Sequence, residues 1–185
     1  MLRSEFNKGV GRARQIGLDN VHTPYVIFFD MDDDIIYDDI IWHYLTFLIA
    51  HPDYTGIRGK EIWKNPAQNN ELQEDITLNS LHGLCCRTDK LREYNIKFKP
   101  WQYAEDGMFT CTILLYGLKI KSLEKETFYF RDRGYLTENI ESTVGNLNFA
   151  TDSCLIIREL LEIMNSTKAN PEIIENCKDC LINEV

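Results

Sequence analysis

The sequence predicts an α/β domain, a mixed sheet flanked by helices and followed by two C-terminal helices. Three observations carry this reading. Short runs rich in β-branched and aromatic residues, such as 25–29, alternate with segments whose apolar residues recur at helical spacing, such as 38–50. Turn formers punctuate them, at Thr23-Pro24, His51-Pro52 and Gly117. The length of 185 residues, with 44% hydrophobic and 26% charged residues, suits one domain with a sizeable core.

Each element has a local cause. Gly9-Val10-Gly11 reads as a turn entering a helix, with Val10, Ala13 and Gly17 along one face. Thr23-Pro24 ends that helix, and residues 25–29 follow as a buried strand. The next helix, over 38–50, places Ile41, Tyr44, Leu45 and Leu48 at helical spacing, and His51-Pro52 closes it. Residues 54–63 read as a strand kinked at Gly56 or Gly59, and 64–75 as a polar loop with three Asn. A short strand over 81–86 leads to a helix with Thr88 as N-cap. A further helix over 106–116 is ended by Gly117. Strands follow over 119–123 and 127–131, a polar loop over 132–146, and helices over 149–165 and 171–182. The division expected is a domain over 1–148, with 149–185 as a helical segment packed on it.

Composition narrows the function classes. A net charge of −9 argues against a protein that tracks nucleic-acid phosphates, and nucleic acid is not indicated as a partner. No apolar stretch approaches the roughly 20 residues that cross a bilayer. The first residues, Met1-Leu2-Arg3-Ser4-Glu5, lack the apolar core of a signal peptide, so a cytoplasmic location is expected. The six cysteines sit mostly in apolar runs, as small buried hydrophobes. Cys177 and Cys180 form a lone CxxC without the second ligand pair of a zinc site.

The chemistry concentrates where the strand over 25–29 ends in Asp30-Met31-Asp32-Asp33-Asp34. Side chains alternate along an extended chain, so Asp30 and Asp32 are able to point the same way. Two carboxylates there form an oxygen-rich site suited to a hard divalent cation. The alternative is simple solvent exposure, with Asp33 and Asp34 capping the turn and helix that follow.

Three blocks in order carry a family resemblance. They are Gly9-Val10-Gly11-Arg12-Ala13-Arg14-Gln15-Ile16-Gly17-Leu18, then Tyr25-Val26-Ile27-Phe28-Phe29-Asp30-Met31-Asp32-Asp33, then Tyr103-Ala104-Glu105-Asp106-Gly107-Met108-Phe109. Leu81-His82-Gly83 and Phe128-Tyr129-Phe130-Arg131 add weaker matches. The chain resembles a family 2 glycosyltransferase of the GT-A fold over about residues 9–133. The resemblance implies a metal-dependent inverting transferase whose donor is a nucleotide-diphospho-sugar and whose acceptor is unidentified. It implies Mn²⁺ or Mg²⁺ at Asp30 and Asp32, with Asp33 near the metal or donor sugar, to neutralise the diphosphate leaving group. It implies Asp106 as general base, at a helix N-terminus with Glu105 beside it. Arg14 aligns with the family's diphosphate-side arginine, and an ion pair to the acidic cluster is an equal reading. Arg131 and Arg133 are candidates for closing on the phosphates, against a solvated loop end. Trp101 and Tyr103 read as an acceptor platform or as core.

The pattern departs from the family at its start: the family's first strands, which hold the nucleotide, have no counterpart, so the resemblance implies an N-terminally truncated GT-A domain. The strand over 25–29 is then expected to have an open edge, covered by a second chain or by self-association. Two other classes compete. The Asp30-Met31-Asp32 triplet also resembles the haloacid-dehalogenase phosphatases, in which Asp30 would be a nucleophile; trapping an aspartyl-phosphate on Asp30 tests this. A non-catalytic binding or structural protein on the same scaffold is the other, and predicts that Asp32→Asn or Asp106→Asn leaves the biological role intact.

Overall fold

A computed structural model describes residues 9–30, 34–35, 37–64, 72–75, 81–101, 104–131, 145–167 and 169–183. The described residues form six helices and six strands: α1 (Val10–Asp19), β1 (Tyr25–Ile27), β2 (Asp34–Ile35), α2 (Ile40–Ala50), β3 (Tyr54–Lys64), β4 (Leu72–Asp75), β5 (Cys85–Arg87), α3 (Thr88–Glu93), α4 (Glu105–Leu115), β6 (Lys119–Arg131), α5 (Gly145–Ser166) and α6 (Pro171–Asn183). The strands form one mixed sheet in the order β1-β5-β3-β6-β2, with β4 also paired to β3. The long β3–β6 ladder is parallel and every other pairing is antiparallel. This is the α/β architecture expected, and β1 lies at an edge of the sheet among the described residues.

Alternation along the strands sorts the core. Val26 and Phe28 face one side of the sheet, with Cys86, Leu84 and Phe109. Tyr25 and Ile27 face the other, with Cys85, Ile57 and the α2 residues Ile40, Tyr44 and Leu48. On the first side Phe98 stacks on Phe109 at 4.1 Å, and Phe28 meets both rings edge-on. The helix α4 is buried on most of its surface, since one flank meets this cluster and the other meets α5 and α6 through Met108, Cys111, Ile156, Leu160 and Cys177. Burial pushes the Cys85 thiol up to about 12 and Cys86 well above its ordinary value, so both are packing residues. Cys177 is drawn lower by a hydrogen bond with Cys111 across α4 and α6.

Several expectations are revised. The docked face of α1 is Gly11, Arg14, Gln15 and Leu18, while Val10 and Ala13 are exposed. Ile40 rather than Ile41 lies under α2, because a helix apolar all round does not announce which side is buried. Residues 72–75 form β4 against Glu61–Lys64 of β3, inside a segment read as loop. The two strands read over 119–131 are one, β6, held by its register with β3. Thr88 does not cap α3: its hydroxyl donates to the Thr23 carbonyl at 2.7 Å, joining α3 to the start of β1. Gly117 does end α4: at φ 73° it closes a Schellman turn, with Leu118 N–H donating to Ile113 at 3.2 Å and Gly117 N–H to Leu114 at 2.9 Å. The loop read over 132–146 lies outside the described residues except at its end, where α5 begins. No helix among the described residues is long and apolar enough to cross a membrane.

Candidate functional site

The site is assembled by Arg14. One guanidinium nitrogen, Nη2, donates to both carboxylate oxygens of Asp30 at 3.0 Å. The other, Nη1, donates to Glu105 Oε1. Three elements distant in sequence thereby meet: the middle of α1, the end of β1 and the first residue of α4. The local causes are legible. Asp30 continues the even-numbered side of β1, the side of Val26 and Phe28, and so faces α4. On α1, Arg14 and Gln15 lie three and four positions beyond Gly11, so both flank it on the docked side. Gln15 Oε1 accepts from the Phe98 backbone N–H at 2.7 Å. A β-carbon at Gly11 would fall 2.2 Å from the Lys99 carbonyl, so the glycine is what lets α1 approach the 96–99 segment. The same segment is tied to α5 by an ion pair between Lys99 and Glu159.

Environment separates the two acids at the head of α4. Glu105 is buried, its side chain 6% exposed, and burial pushes its carboxyl up to about 7, assisted by the neighbouring Asp106 and opposed by Arg14. Asp106 is half-buried, and its Oδ1 accepts from the Gly107 N–H at 2.8 Å. Ala104, just before them, is left-handed at φ 51°, ψ 24°, a conformation that aims the first turn of α4 and that a residue with a β-carbon adopts at some cost.

A fourth residue joins the cluster. His82 Nε2 lies 3.5 Å from Asp30 Oδ2, with its side chain 15% exposed. The turn that carries it is stitched to the strand bearing Asp30: Gly83 N–H donates to the Phe28 carbonyl at 3.0 Å, and Phe28 N–H to Leu84 at 3.3 Å. Gly83 has φ 62°, which the turn requires. The sequence marked His82 only as part of a weak motif; its approach to Asp30 depends on a pairing 50 and more residues away.

Of the residues anticipated from sequence, Arg14, Asp30 and Glu105 come together, with Asp106 adjacent in α4. Asp32 and Asp33 lie outside the described residues, as do Tyr103 and Arg133. Arg131 ends β6 opposite Lys64. Trp101 is core, 7% exposed and packed with Met108 and Leu115, which removes it as an acceptor platform. Among the described residues no group of three or more His, Cys, Asp and Glu is arranged to hold a metal.

No protein-family model matches the chain, and no curated protein matches it. Solved structures do. The chain is similar to S. aureus TarS 1-349 in complex with UDP-GlcNAc, with a TM-score of 0.73 and 21% identity over 99% of this chain and 55% of that one. The same protein in complex with UDP gives 0.66 and 20%, over 94% and 51%. S. aureus TarS without the 1-349 limit gives 0.64 and 21%, over 98% and 32%. TarS is a family 2 glycosyltransferase. The shared property at this identity is the fold, and the chain spans about half the length of the 1-349 structures it matches.

Proposed function

We propose that this domain transfers a sugar from a nucleotide-diphospho-sugar to an acceptor hydroxyl, with inversion at the anomeric carbon in one displacement. The observation that carries this reading is the Arg14 bridge, which brings the acidic end of β1 to the head of α4. Its support is the fold shared with TarS, a protein solved with UDP-GlcNAc and with UDP.

Asp106 is the base that removes the acceptor proton: it is the more accessible acid of the pair, in the first turn of α4. Glu105 is a positioning residue, too buried to meet an acceptor, that fixes α1 against α4 through Arg14. Mn²⁺ or Mg²⁺ would be held by Asp30 and Asp32 and would supply positive charge to the departing diphosphate. Arg14, lying between Asp30 and Glu105, offsets one of their two negative charges and so reduces the cluster's repulsion of the phosphates. Asp33 and Arg131 remain candidates on the donor side. The outer edge of β1 is where a further strand, from another chain or a second copy, would complete the nucleotide side.

One observation favours the non-catalytic scaffold: Arg14 holds both oxygens of Asp30 in an ion pair within the chain. Isothermal titration of UDP with and without Mn²⁺, on the chain and on Asp32→Asn, separates the two readings. Metal-dependent binding lost in the variant is expected for the transferase. Absence of binding with Mn²⁺ present rules out an autonomous donor site.

A further inference from the structure

The helix α2 carries no Asp, Glu, Lys or Arg in its eleven residues. Ile40, Tyr44 and Leu48 fill the core beneath it. On its outer side Trp42 is 70% exposed and Ile49 67%, and these two, seven residues apart, line up within about 20° on a helix of 3.6 residues per turn. They make a ridge, with Leu45 half-buried between them. Beside the ridge runs an open groove of about 590 Å³, walled by His43, Thr46, Phe47 and Ala50 of α2 and floored by Ile57 and Leu123 of the sheet. Trp42 and Ile49 at this exposure are far from the scattered surface apolar residues of an ordinary monomer.

The ends of the patch are oppositely charged. Asp38 and Asp39 precede α2 and are exposed. At the other end stand Lys119, held by Asp53 at 2.9 Å, and Lys121, paired in register with Tyr54 and Ile57 of β3. Tyr54 and Ile57 belong to the cluster under α2, and partners on parallel strands share a face, so both lysines flank the groove.

We propose that this face is a two-fold interface between two copies of the chain, α2 packed antiparallel on α2. A two-fold contact requires one surface to be complementary to itself. Here ridge and groove lie side by side on one helix, so each ridge enters the other groove. The antiparallel setting also brings Asp38 of one copy to Lys121 of the other, while Asp39 and Lys119 keep their partners His43 and Asp53 within each copy. An anionic membrane is the poorer occupant, because the patch is led by carboxylates on a chain of net charge −9. Burying both ridges and both grooves along a helix about 16 Å long removes on the order of 1,200 Å² from water, the lower end of stable interfaces. The inference is independent of the sugar-transfer reading.

Sedimentation velocity of the full chain over a concentration series tests it. The expected result is a reversible monomer–dimer equilibrium, with Trp42→Glu or Ile49→Glu raising the dissociation constant about thirtyfold or more while the thermal midpoint stays within a few degrees. Asp38→Lys weakens the dimer, and adding Lys121→Glu restores it, which fixes the antiparallel register. A chain monomeric at 100 µM (roughly a hundredfold above a micromolar dissociation constant) overturns the proposal. So does a dimer indifferent to Trp42→Glu, or one in which the charge exchange gives no recovery. Retention of the chain by phosphatidylserine vesicles through Trp42, with no dimer in solution, overturns it in favour of a membrane surface.

Discussion

A β-carbon placed on Gly11 would sit 3.0 Å from Cγ of Glu105, so the first turn of α1 rests directly on the buried acid of α4. The same β-carbon meets the Lys99 carbonyl at 2.2 Å, and backbone cannot step aside as a side chain does. The geometry that unites Arg14, Asp30 and Glu105 therefore depends on a residue with no side chain.

Gly11→Ala is expected to push α1 outward and lower stability by about 1–3 kcal/mol, with loss of the Arg14 bridge. Gly17→Ala is its control, since nothing lies within 4 Å of a β-carbon there. In the interior of α1 that change is expected to add up to about 1 kcal/mol. Urea denaturation of both variants checks the pair; equal effects would contradict the contact.

Stability should also carry the titration of Glu105. Its ordinary value is 4.5 and its folded value about 7, so between these the folded state binds more protons than the unfolded one. Its contribution is complete below pH 4.5 and is lost as pH rises to 7, a fall of up to about 3 kcal/mol. Unfolding free energies measured from pH 4.5 to 8 should show this slope, and Glu105→Gln should flatten it.

Arg14→Met is predicted to be mild at pH 5, where Glu105 keeps its proton, and to cost about 2 kcal/mol at pH 8, where a buried carboxylate loses its cation. Arg14→Lys should not restore the parent behaviour, because one ammonium does not reproduce a planar fork that spans Asp30 and Glu105. The measurement is the difference in unfolding free energy at the two pH values.

Trp101→Ala should lower stability by about 3–5 kcal/mol, the loss of a large core side chain beside Met108 and Leu115. A soluble variant with an unchanged thermal midpoint would return Trp101 to the surface role read from the sequence.

What the sequence made legible was local. The Gly9 entry to α1, the Gly117 exit from α4 and the run into Asp30 each follow from residues within a few positions of one another. The failures share a cause, which is dependence on distant partners. Leu72–Asp75 is polar and poor in strand formers, and it is a strand because β3 offers it an edge. The docked face of α1 uses a glycine, an arginine and a glutamine, so a search for apolar periodicity selected Val10, Ala13 and Gly17 instead. Arg14 was recognised as a site residue, but the choice between diphosphate and ion pair required knowing that Glu105, 91 positions away, stands opposite it. His82 had a motif but no role until the turn was placed beside Phe28.

The parallel ladder between β3 and β6 has a kinetic consequence. Tyr54 faces Lys119 in it, so a closure of some sixty-five residues must occur before the centre of the sheet exists. Entropy resists such long closures, and folds built on them form slowly. The helices α3 and α4 lie inside that loop, and the clasp from Arg14 to Glu105 closes a longer one, across 91 positions. On this ordering the acidic cluster is among the last parts of the molecule to appear during refolding.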